Sequence, residues 1–293
     1  MAFNWKTFQI RTLTAIIFAA VMLTGILWNQ WSFLVLFSII HFGCWWEYFN
    51  LLEKIHNTNY HRYTRIGFML MGFAVMLWFC SPSYQVNNYQ LSQNFPFPVS
   101  VAGVVMLALG IFQSKQVKLK AFGAAALGLF YISLSWSLMI SLYDETDIHV
   151  HDTKLVMAGP GIPLLMIISI WINDTMAYIV GSLIGKTPLS KISPKKTWEG
   201  TIGGIILSVL VIGLVTYFAV IDSWTVAIMV MIFATIASIV GTIGDLLESK
   251  LKRIAAVKDS GSFMPGHGGF LDRFDSLLLA TPAVWLYIYF LMK

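Results

Sequence analysis

Long apolar stretches follow one another along the chain, and shorter polar segments separate them. These stretches predict nine helices, over residues 12–28, 31–50, 66–81, 97–113, 121–142, 161–184, 202–221, 224–244 and 277–292. Runs of about 20 apolar residues are long enough for a helix to cross the hydrocarbon core of a bilayer. The pattern therefore predicts an all-α fold: a polytopic integral membrane protein with nine transmembrane helices, in which residues 1–293 form a single membrane-embedded domain.

The composition and the distribution of charge support this class of protein. Of the 293 residues, 57% are hydrophobic and 11% are charged, whereas about 25% of the residues in a soluble domain are charged. When the connections between the helices are assigned alternately to two sides, all Lys and Arg residues except Lys154 and Lys293 fall on the side of the N-terminus. Because basic connections stay in the cytoplasm, the N-terminus is predicted to be cytoplasmic. The net charge of +5 follows from this distribution, and we expect no nucleic-acid partner.

Two pairs of acidic residues occur near the predicted cytoplasmic ends of the last two helices. Asp245 and Glu248 lie three positions apart, as do Asp272 and Asp275, and residues at this spacing share one face of a helix. Two such pairs at facing helix ends would form an oxygen-rich pocket. Mg²⁺ is typically held by one or two carboxylates together with substrate phosphates. The pairs therefore predict a magnesium site at the membrane edge.

Basic residues surround these acidic pairs, and glycines lie between them. The basic residues are Lys250, Lys252, Arg253, Lys258 and Arg273. Carboxylates for a metal ion beside cations for phosphate are the groups that phosphoryl or nucleotidyl transfer requires. Four glycines would let backbone N–H groups approach a ligand closely, namely Gly261, Gly266, Gly268 and Gly269. His267 is a candidate general base, phosphate ligand or structural hydrogen-bond donor, and the sequence leaves these roles open.

Two further candidates for a functional site precede this region. Asp174 interrupts an apolar helix, and an ionisable group at membrane depth normally faces the protein interior or a wet cavity because its burial is costly. Lys195 and Lys196 precede a helix predicted to begin near Trp198, where free N–H groups and the helix dipole favour a phosphate. The same lysines also fit ordinary positive-inside topology and contact with anionic lipid. Close helix packing is expected at the glycines that follow, which are Gly200, Gly203 and Gly204.

The polar segment at residues 249–276, SKLKRIAAVKDSGSFMPGHGGFLDRFDS, resembles the C-terminal signature of bacterial phosphatidate cytidylyltransferases, also called CDP-diacylglycerol synthases. The matching residues are Ser249, Lys252, Arg253, Lys258, Asp259, Pro265, His267, Gly268, Gly269, Asp272, Arg273 and Asp275. Met264 is a conservative departure, at a position where the pattern usually has Leu, Ile or Phe. The resemblance is close over residues 171–276, whereas residues 1–160 match only as a series of membrane helices.

The resemblance implies a reaction and a setting for it. Phosphatidate and CTP would give CDP-diacylglycerol and pyrophosphate, with Mg²⁺ as the cofactor. The family also implies about nine membrane helices around a polar cavity that is open to the cytoplasm. The expected location is the bacterial inner (plasma) membrane, as a multi-pass protein in contact with membrane lipids, and the expected assembly is a homodimer.

The resemblance also assigns roles to the candidate residues. It makes Asp245 and Asp272 the principal ligands of Mg²⁺, and we expect Glu248 and Asp275 to be auxiliary ligands. The expected catalytic residues are Asp245, Asp272, Lys258 and Arg273. The expected substrate-binding residues are Lys195, Lys196, Lys252, Arg253, Ser249, His267 and Asp174. For Asp174, the roles under consideration are holding a second cation and orienting a lysine.

Two other classes of protein compete with this interpretation. A CTP-dependent lipid kinase, or a synthase that acts on another lipid phosphate, would also use a nucleotide, and no motif identifies the acyl-binding half. A transporter would use Asp174 as its ion site, but the internal repeats common in transporters are absent from the sequence. The Asp-x-x-Asp-Gly-x-x-Ala-Arg motif of CDP-alcohol phosphotransferases is also absent, which disfavours that family.

Overall fold

Helices dominate the structure, a computed structural model that describes residues 5–114, 117–143, 148–150, 153–155, 159–264 and 268–292. The α-helices are α1 (Trp5–Leu27), α2 (Gln30–His56), α3 (Arg62–Trp78), α4 (Leu91–Asn94), α5 (Pro96–Gln113), α6 (Leu119–Gly128), α7 (Ser135–Tyr143), α8 (Gly161–Ile184), α9 (Trp198–Val215), α10 (Trp224–Ile254) and α11 (Leu271–Tyr287). Three π-helical turns extend them: Leu129–Leu134 joins α6 to α7, Thr216–Val220 follows α9, and Ile288–Met292 follows α11.

Seven helical stretches of the described chain are long and apolar enough to cross a membrane. They are Gln30–His56, Pro96–Gln113, Leu119–Tyr143, Gly161–Ile184, Trp198–Val220, Trp224–Ile254 and Leu271–Leu291. The apolar part of α1, Thr12–Leu27, is shorter, and α3 has 17 residues. The all-α fold is thus confirmed, and the candidate membrane helices agree with the predicted class of protein. The count of nine crossings and the cytoplasmic N-terminus stay predictions.

The last two long helices extend beyond the apolar stretches that predict them. α10 continues past residue 244 to Ile254, so Asp245 and Glu248 lie on a helix, as expected. α11 begins at Leu271, ahead of the predicted start at residue 277, and Asp272 lies in its first turn. An apolar stretch ends where charged residues begin, whereas a helix continues as long as its backbone hydrogen bonds are made. This explains both differences.

Two short antiparallel hairpins interrupt the helices, and the hydrophobic pattern gives no sign of either. β1 (Gln85–Val86) pairs with β2 (Tyr89–Gln90), and β3 (Ile148–Val150) pairs with β4 (Thr153–Leu155). The two residues that connect β1 to β2, both asparagines, have φ angles of 49° and 67°, the left-handed backbone that tight hairpin turns require. Strands of two or three residues are too short for an alternating pattern to show.

The chain divides into two compact units. The first unit contains Met1–Ser141 and Leu251–Phe274, and the second unit contains Leu142–Lys250 and Asp275–Lys293. In the first unit, α3 packs against α5, and α2 packs against α1 and α6. In the second unit, α8 packs along α9. The residues predicted to do chemistry are therefore distributed over both units.

An aromatic core fills the first unit around the middle of α2. Trp45 and Phe49 of α2 and Phe68 of α3 are buried, and their rings are in contact. The indole N–H of Trp45 donates to the hydroxyl of Ser133 over 2.9 Å, and Ser133 lies in the π turn between α6 and α7. This packing places the C-terminal half of α2, including Glu47, in the interior of the unit.

Candidate active site

A cavity of about 440 Å³ in the second unit is lined by α8, by the residues around the start of α9 and by α10. Its lining residues are Asn173, Asp174, Ala177, Tyr178, Gly181, Ser182, Lys195, Lys196, Thr197, Thr201, Thr242 and Asp245. Polar side chains, two carboxylates and two lysines therefore face one space. The structure brings together four residues that the sequence analysis selected from three separate segments, namely Asp174, Lys195, Lys196 and Asp245. That this cavity opens to the cytoplasm stays a prediction.

Asn173 and Asp174 on α8 form one wall of the cavity. Asn173 is buried, and its amide nitrogen donates to Asp174 Oδ1 over 3.4 Å. Its own Oδ1 has no hydrogen-bond partner among the described residues. A buried acceptor that lacks a donor is costly. At the edge of a polar cavity, such an oxygen suits a bound cation or a donor group of a ligand.

Asp245, on α10, is paired with a cation of the chain itself. Its Oδ2 forms an ion pair with Nζ of Lys196, and its Oδ1 accepts a hydrogen bond from the hydroxyl of Ser249 over 3.2 Å. The side chains of Lys196 and Asp245 keep 29% and 26% of their surface exposed. Both side chains are therefore partly exposed, and both line the cavity. A ligand in the cavity can reach either partner of the ion pair.

The loop between α8 and α9 holds its two lysines at the cavity through a defined pattern of hydrogen bonds. The backbone N–H of Leu189 donates to the carbonyl of Lys196 over 2.7 Å. The carboxylate of Glu199 accepts from the backbone N–H of Thr187 over 3.2 Å, which ties the start of the loop to the first turn of α9. α9 begins at Trp198, as predicted.

The close packing of α8 on α9 that the sequence predicts at three glycines is confirmed. A Cβ atom added at Gly204 would lie 2.7 Å from the carbonyl oxygen of Asn173, and one at Gly200 would lie 2.7 Å from the carbonyl oxygen of Ala177. Gly203 is restricted in the same way by a neighbouring side chain of α8. These separations are shorter than ordinary contacts, so the wall of the cavity depends on glycine at these positions.

In the first unit, Asp272 accepts hydrogen bonds from several donors. Its Oδ1 accepts from Nζ of Lys252 over 2.6 Å. Its Oδ2 accepts from the backbone N–H groups of Ser260 and Gly269 over 2.9 and 2.8 Å, and the hydroxyl oxygen of Ser260 lies 2.9 Å away. The side chain of Asp272 is 6% exposed. These contacts fix the orientation of the carboxylate at the first turn of α11.

The glycines of the polar segment make room for carboxylates of the chain. Gly268 has a φ angle of 84°, and a Cβ atom there would lie 2.5 Å from Asp272 Oδ2. A Cβ atom at Gly261 or Gly269 would meet the carboxylate of Glu47. The described glycines therefore lie against carboxylates of the protein itself, and their approach to a ligand stays a prediction.

Glu47 of α2 and Ser260 also belong to the hydrogen-bond network around Asp272, and the sequence patterns above predict neither. Glu47 is 5% exposed, and its carboxylate accepts from the hydroxyl of Ser260 over 2.7 Å. It also accepts from the backbone N–H groups of Phe270 and Leu271, each over 2.9 Å. Glu47 is an ionisable residue inside a predicted membrane helix. The cost of such a group at membrane depth, which singled out Asp174, could also have singled out Glu47.

The remaining candidate residues have different environments. The exposed side chains are those of Arg253, Lys258 and Arg273. Glu248 on α10 is fully buried, and Asp275 Oδ1 accepts from the backbone N–H of Ser276 over 2.6 Å. Gly266 and His267 lie outside the described residues. The catalytic and binding roles assigned to these residues stay predictions.

The donor set of the second-unit cavity fits Mg²⁺. Asp174 and Asp245 offer carboxylates, and Asn173 offers an amide oxygen, which are the hard oxygen donors that Mg²⁺ prefers. Over the described ranges, no group of three or more His, Cys, Asp and Glu side chains is placed to hold a metal ion. Mg²⁺ usually binds through one or two carboxylates together with substrate phosphates. The cavity therefore suits a metal ion that is bound jointly with a nucleotide.

Comparisons with known proteins relate the chain to one group of enzymes. The model of the cytidylyltransferase family matches residues 9–291. The chain is 30% identical to the phosphatidate cytidylyltransferase of Staphylococcus saprophyticus over 278 residues, which cover 94% of this chain and 96% of that relative. It is 28% identical to the phosphatidate cytidylyltransferase of Synechocystis over 301 residues, which cover 96% and 97%. It is 44% identical to the enzyme of that name from Bacillus subtilis over 125 residues, which cover 42% and 44%.

The similarity reaches well beyond the signature segment. The family model and the first two relatives extend over nearly the whole chain, and so they include the helices of residues 1–160 that the motif leaves unmatched. The match to Bacillus subtilis is stronger in identity but covers less than half of either chain. Extended similarity of this kind includes both the cavity of the second unit and the carboxylate network of the first. The chain belongs to the cytidylyltransferase family.

Proposed function

We propose that this chain is a phosphatidate cytidylyltransferase. It transfers CMP from CTP to phosphatidate and releases pyrophosphate, and the product, CDP-diacylglycerol, serves phospholipid biosynthesis. The observation that carries the proposal is the cavity of the second unit, in which two acidic residues and two lysines line one space. The family membership and the names of the full-length relatives support the same reaction.

The reaction joins two phosphates and needs no strong base. An oxygen of the phosphatidate phosphate is already anionic and attacks the α-phosphorus of CTP, where a P–O bond forms. The bond from the α-phosphorus to the oxygen that leaves with pyrophosphate breaks. The difficulty lies in bringing two anionic groups together. Fixed cations that neutralise and orient both groups lower this barrier.

Lys195 and Lys196 are the cations that the cavity offers to the phosphates. They precede the N-terminus of α9, where free N–H groups and the helix dipole also favour anions. In the structure, Lys196 forms an ion pair with Asp245. A phosphate oxygen can replace Asp245 in this pair, because it offers Lys196 an equivalent anionic acceptor. Binding of the nucleotide would then leave the carboxylate of Asp245 available to a metal ion.

Asp174, Asp245 and Asn173 would hold Mg²⁺ at the cavity. When bound, Mg²⁺ neutralises phosphate charge and acts as a Lewis acid. The further roles that we propose rest on the sequence motif. The additional metal ligands are Asp272, Glu248 and Asp275. The additional contacts to substrate are Ser249, Lys252, Arg253, Lys258, His267 and Arg273.

We further propose a multi-pass location in the bacterial inner (plasma) membrane, with the cavity open to the cytoplasm, where CTP is present. The seven candidate membrane helices support a membrane protein, and bacterial relatives support a bacterial setting. The acyl chains of phosphatidate would enter sideways between helices. Contact with membrane lipids and a homodimeric assembly belong to the same proposal.

An assay on the purified protein in detergent tests the reaction. With CTP, phosphatidate and Mg²⁺, we expect equal amounts of CDP-diacylglycerol and pyrophosphate, loss of both products with EDTA, and recovery when excess Mg²⁺ is restored. Polyprenol and polyprenyl phosphate serve as alternative substrates for a lipid kinase and for a different synthase. A product from either of these lipids without a product from phosphatidate would refute the proposal. Pyrophosphate release that depends on phosphatidate would exclude a pure transporter.

A further inference from the structure

Glu47 connects α2 to the polar segment that carries Asp272, and both residues belong to the first unit. The carboxylate of Glu47 accepts hydrogen bonds from the Ser260 hydroxyl and from two backbone N–H groups. A nearly buried carboxylate within an apolar helix is expensive unless donors satisfy it. Every one of these three donors comes from the polar segment, more than 200 positions away in the sequence: the separation is 213 for Ser260 and 224 for Leu271.

Two of the three donors lie at the start of α11. They are the backbone N–H groups of Phe270 and Leu271, and α11 begins at Leu271. The first N–H groups of a helix have no acceptor within the helix, and a negative charge at that end interacts favourably with the helix dipole. Glu47 therefore supplies from α2 the cap that fixes where α11 begins, immediately before Asp272.

The third donor links Glu47 to Asp272 through a single residue. The hydroxyl oxygen of Ser260 lies 2.7 Å from Glu47 Oε2 and 2.9 Å from Asp272 Oδ2. The backbone N–H of Ser260 also donates to Asp272 Oδ2 over 2.9 Å. A hydroxyl has one proton to donate, so it serves one carboxylate at a time and is held between the two. The position of Asp272 thus depends on a residue that Glu47 holds.

The backbone around Glu47 leaves space for this carboxylate and little else. A Cβ atom at Gly261 or at Gly269 would meet its oxygen atoms. Gly269 also donates its N–H to Asp272 Oδ2 over 2.8 Å. Residues 260–261 and 269–271 are therefore packed around the carboxylate of Glu47, and two of them, Ser260 and Gly269, also donate to Asp272.

We propose that Glu47 is a positioning residue, which fixes residues 260–261 and 269–271 and through them the carboxylate of Asp272. Glu47 itself need not touch a substrate. The inference rests on the proposed function, in which Asp272 is a metal ligand. Loss of a group that orients a metal ligand typically lowers metal affinity or activity about 10- to 100-fold, and we expect a reduction of this size in kcat.

The central variant is Glu47→Gln, which keeps the size of the side chain. Its amide has a single acceptor oxygen, and its NH2 group faces N–H and O–H donors, so part of the network is lost. We expect kcat to fall by about 10- to 100-fold, with a smaller change in the KM for CTP. Hydrogen exchange at the backbone amides of residues 260–271 should become faster. Glu47→Asp retains the charge with a shorter reach, and it should recover part of both losses.

Glu53→Gln is the matched control on the same helix. Glu53 forms an ion pair with Arg65 at 2.6 Å and accepts from the backbone N–H of Tyr60 over 2.7 Å, so this variant also removes an engaged carboxylate from α2. We expect wild-type kcat and wild-type exchange at residues 260–271. An equal loss of kcat in Glu53→Gln would show a general effect on α2 and would overturn the inference.

Further results with Glu47→Gln and Ser260→Ala would also contradict a positioning role of Glu47. Glu47→Gln with wild-type kcat and unchanged exchange at residues 260–271 would overturn it. If Glu47→Gln does not fold, Ser260→Ala removes the linking hydroxyl and keeps the backbone donor to Asp272, and a wild-type kcat in that variant would count against the link. If the wild-type protein makes no CDP-diacylglycerol, the proposed function fails. The exchange measurement then still shows whether Glu47 orders residues 260–261 and 269–271.

Discussion

The two aspartates expected to bind the metal ion are held very differently by their neighbours. Asp272 is nearly buried and accepts from a lysine and two backbone N–H groups, and the hydroxyl oxygen of Ser260 lies 2.9 Å away. Asp245 is more exposed and has Lys196 and the hydroxyl of Ser249 as partners. A carboxylate with many fixed donors keeps one orientation, whereas a partly exposed carboxylate with two side-chain partners is less restrained. Under the proposed function, we therefore expect Asp245, and not Asp272, to change its partners when CTP binds.

Asp272→Asn tests the importance of the more firmly held carboxylate. The new NH2 group must face a donor at one of the two oxygen positions, and leaving buried donors unsatisfied costs about 1–3 kcal/mol in the free energy of unfolding. The rate of CDP-diacylglycerol formation should fall by about 100-fold, which is typical for the loss of one preorganised electrostatic contact. Both effects can be measured on purified protein, as a thermal unfolding midpoint and as a rate.

The matched control for this substitution is Asp222→Asn, because Asp222 is exposed in the short connection between α9 and α10. It removes one negative charge without touching either carboxylate site, so the rate and the unfolding midpoint should match those of the wild type. A rate near that of the wild type in Asp272→Asn would refute the assignment of Asp272 to the metal ion.

Lys195→Ala tests the assignment of the cavity to the nucleotide. Lys195 lines the cavity, and one charge-assisted hydrogen bond is worth about 1.5–3 kcal/mol, so we expect the KM for CTP to rise at least about 10-fold. Initial rates measured against CTP concentration give this value. Lys191→Ala is the control, because Lys191 is an exposed lysine of the same loop that does not line the cavity. An unchanged dependence on CTP in Lys195→Ala would leave that lysine with only a topological role.

At the scale of elements, the contact between α8 and α9 sets the shape of the cavity. Gly204→Ala would place a Cβ atom 2.7 Å from the carbonyl oxygen of Asn173 and equally close to Ala177. Such overpacking costs about 1–3 kcal/mol in stability. It also pushes α8, which carries Asp174, away from α9. We expect a lower thermal unfolding midpoint together with a higher KM for CTP.

The same substitution elsewhere in the chain should have the opposite effect on stability. Gly123 lies within α6, and a Cβ atom added there would have no neighbour within 4 Å. Alanine is favoured over glycine in a helix by up to about 1 kcal/mol, so Gly123→Ala should keep or raise the unfolding midpoint. If Gly204→Ala matched Gly123→Ala in both stability and KM, close packing of α8 on α9 would not control the cavity.

Elements were more predictable from the sequence than the contacts between them. Apolar runs are a local signal, and they located every long helix, whereas the ends of α10 and α11 are set by backbone hydrogen bonds beyond those runs. The sequence indicated chemistry at Asp174, at Lys196 and at Asp245 for three separate reasons, but not that these residues line one cavity. The contact of Glu47 with Leu271 joins residues 224 positions apart. Nothing in the periodicity of one helix says which distant turn it will meet.

At the scale of the whole molecule, the exposed apolar surface favours a lipid environment. Many large apolar side chains on the helices are largely exposed, among them Phe112, Leu119, Phe130 and Leu183. Soluble monomers rarely expose contiguous apolar patches beyond a few hundred Å², whereas the same surface is satisfied by acyl chains. Apolar residues are therefore shared between the interior and the exposed surface of the helices.

The orientation in the membrane can be tested with three single cysteines, because the two native cysteines, Cys44 and Cys80, are buried and should give little background. Between Ser83 and Lys191 lie three candidate membrane helices, and a fourth separates Lys191 from Asp222. An odd number of crossings places two positions on opposite sides.

In intact spheroplasts, a membrane-impermeant maleimide should therefore label Ser83→Cys and Asp222→Cys. It should label Lys191→Cys only after permeabilisation, because the basic loop is predicted to face the cytoplasm. Labelling of Lys191→Cys from outside would show that the orientation is opposite to the predicted one. Labelling of Ser83→Cys and Asp222→Cys on different sides would mean that one of the four candidate helices between them does not cross the membrane.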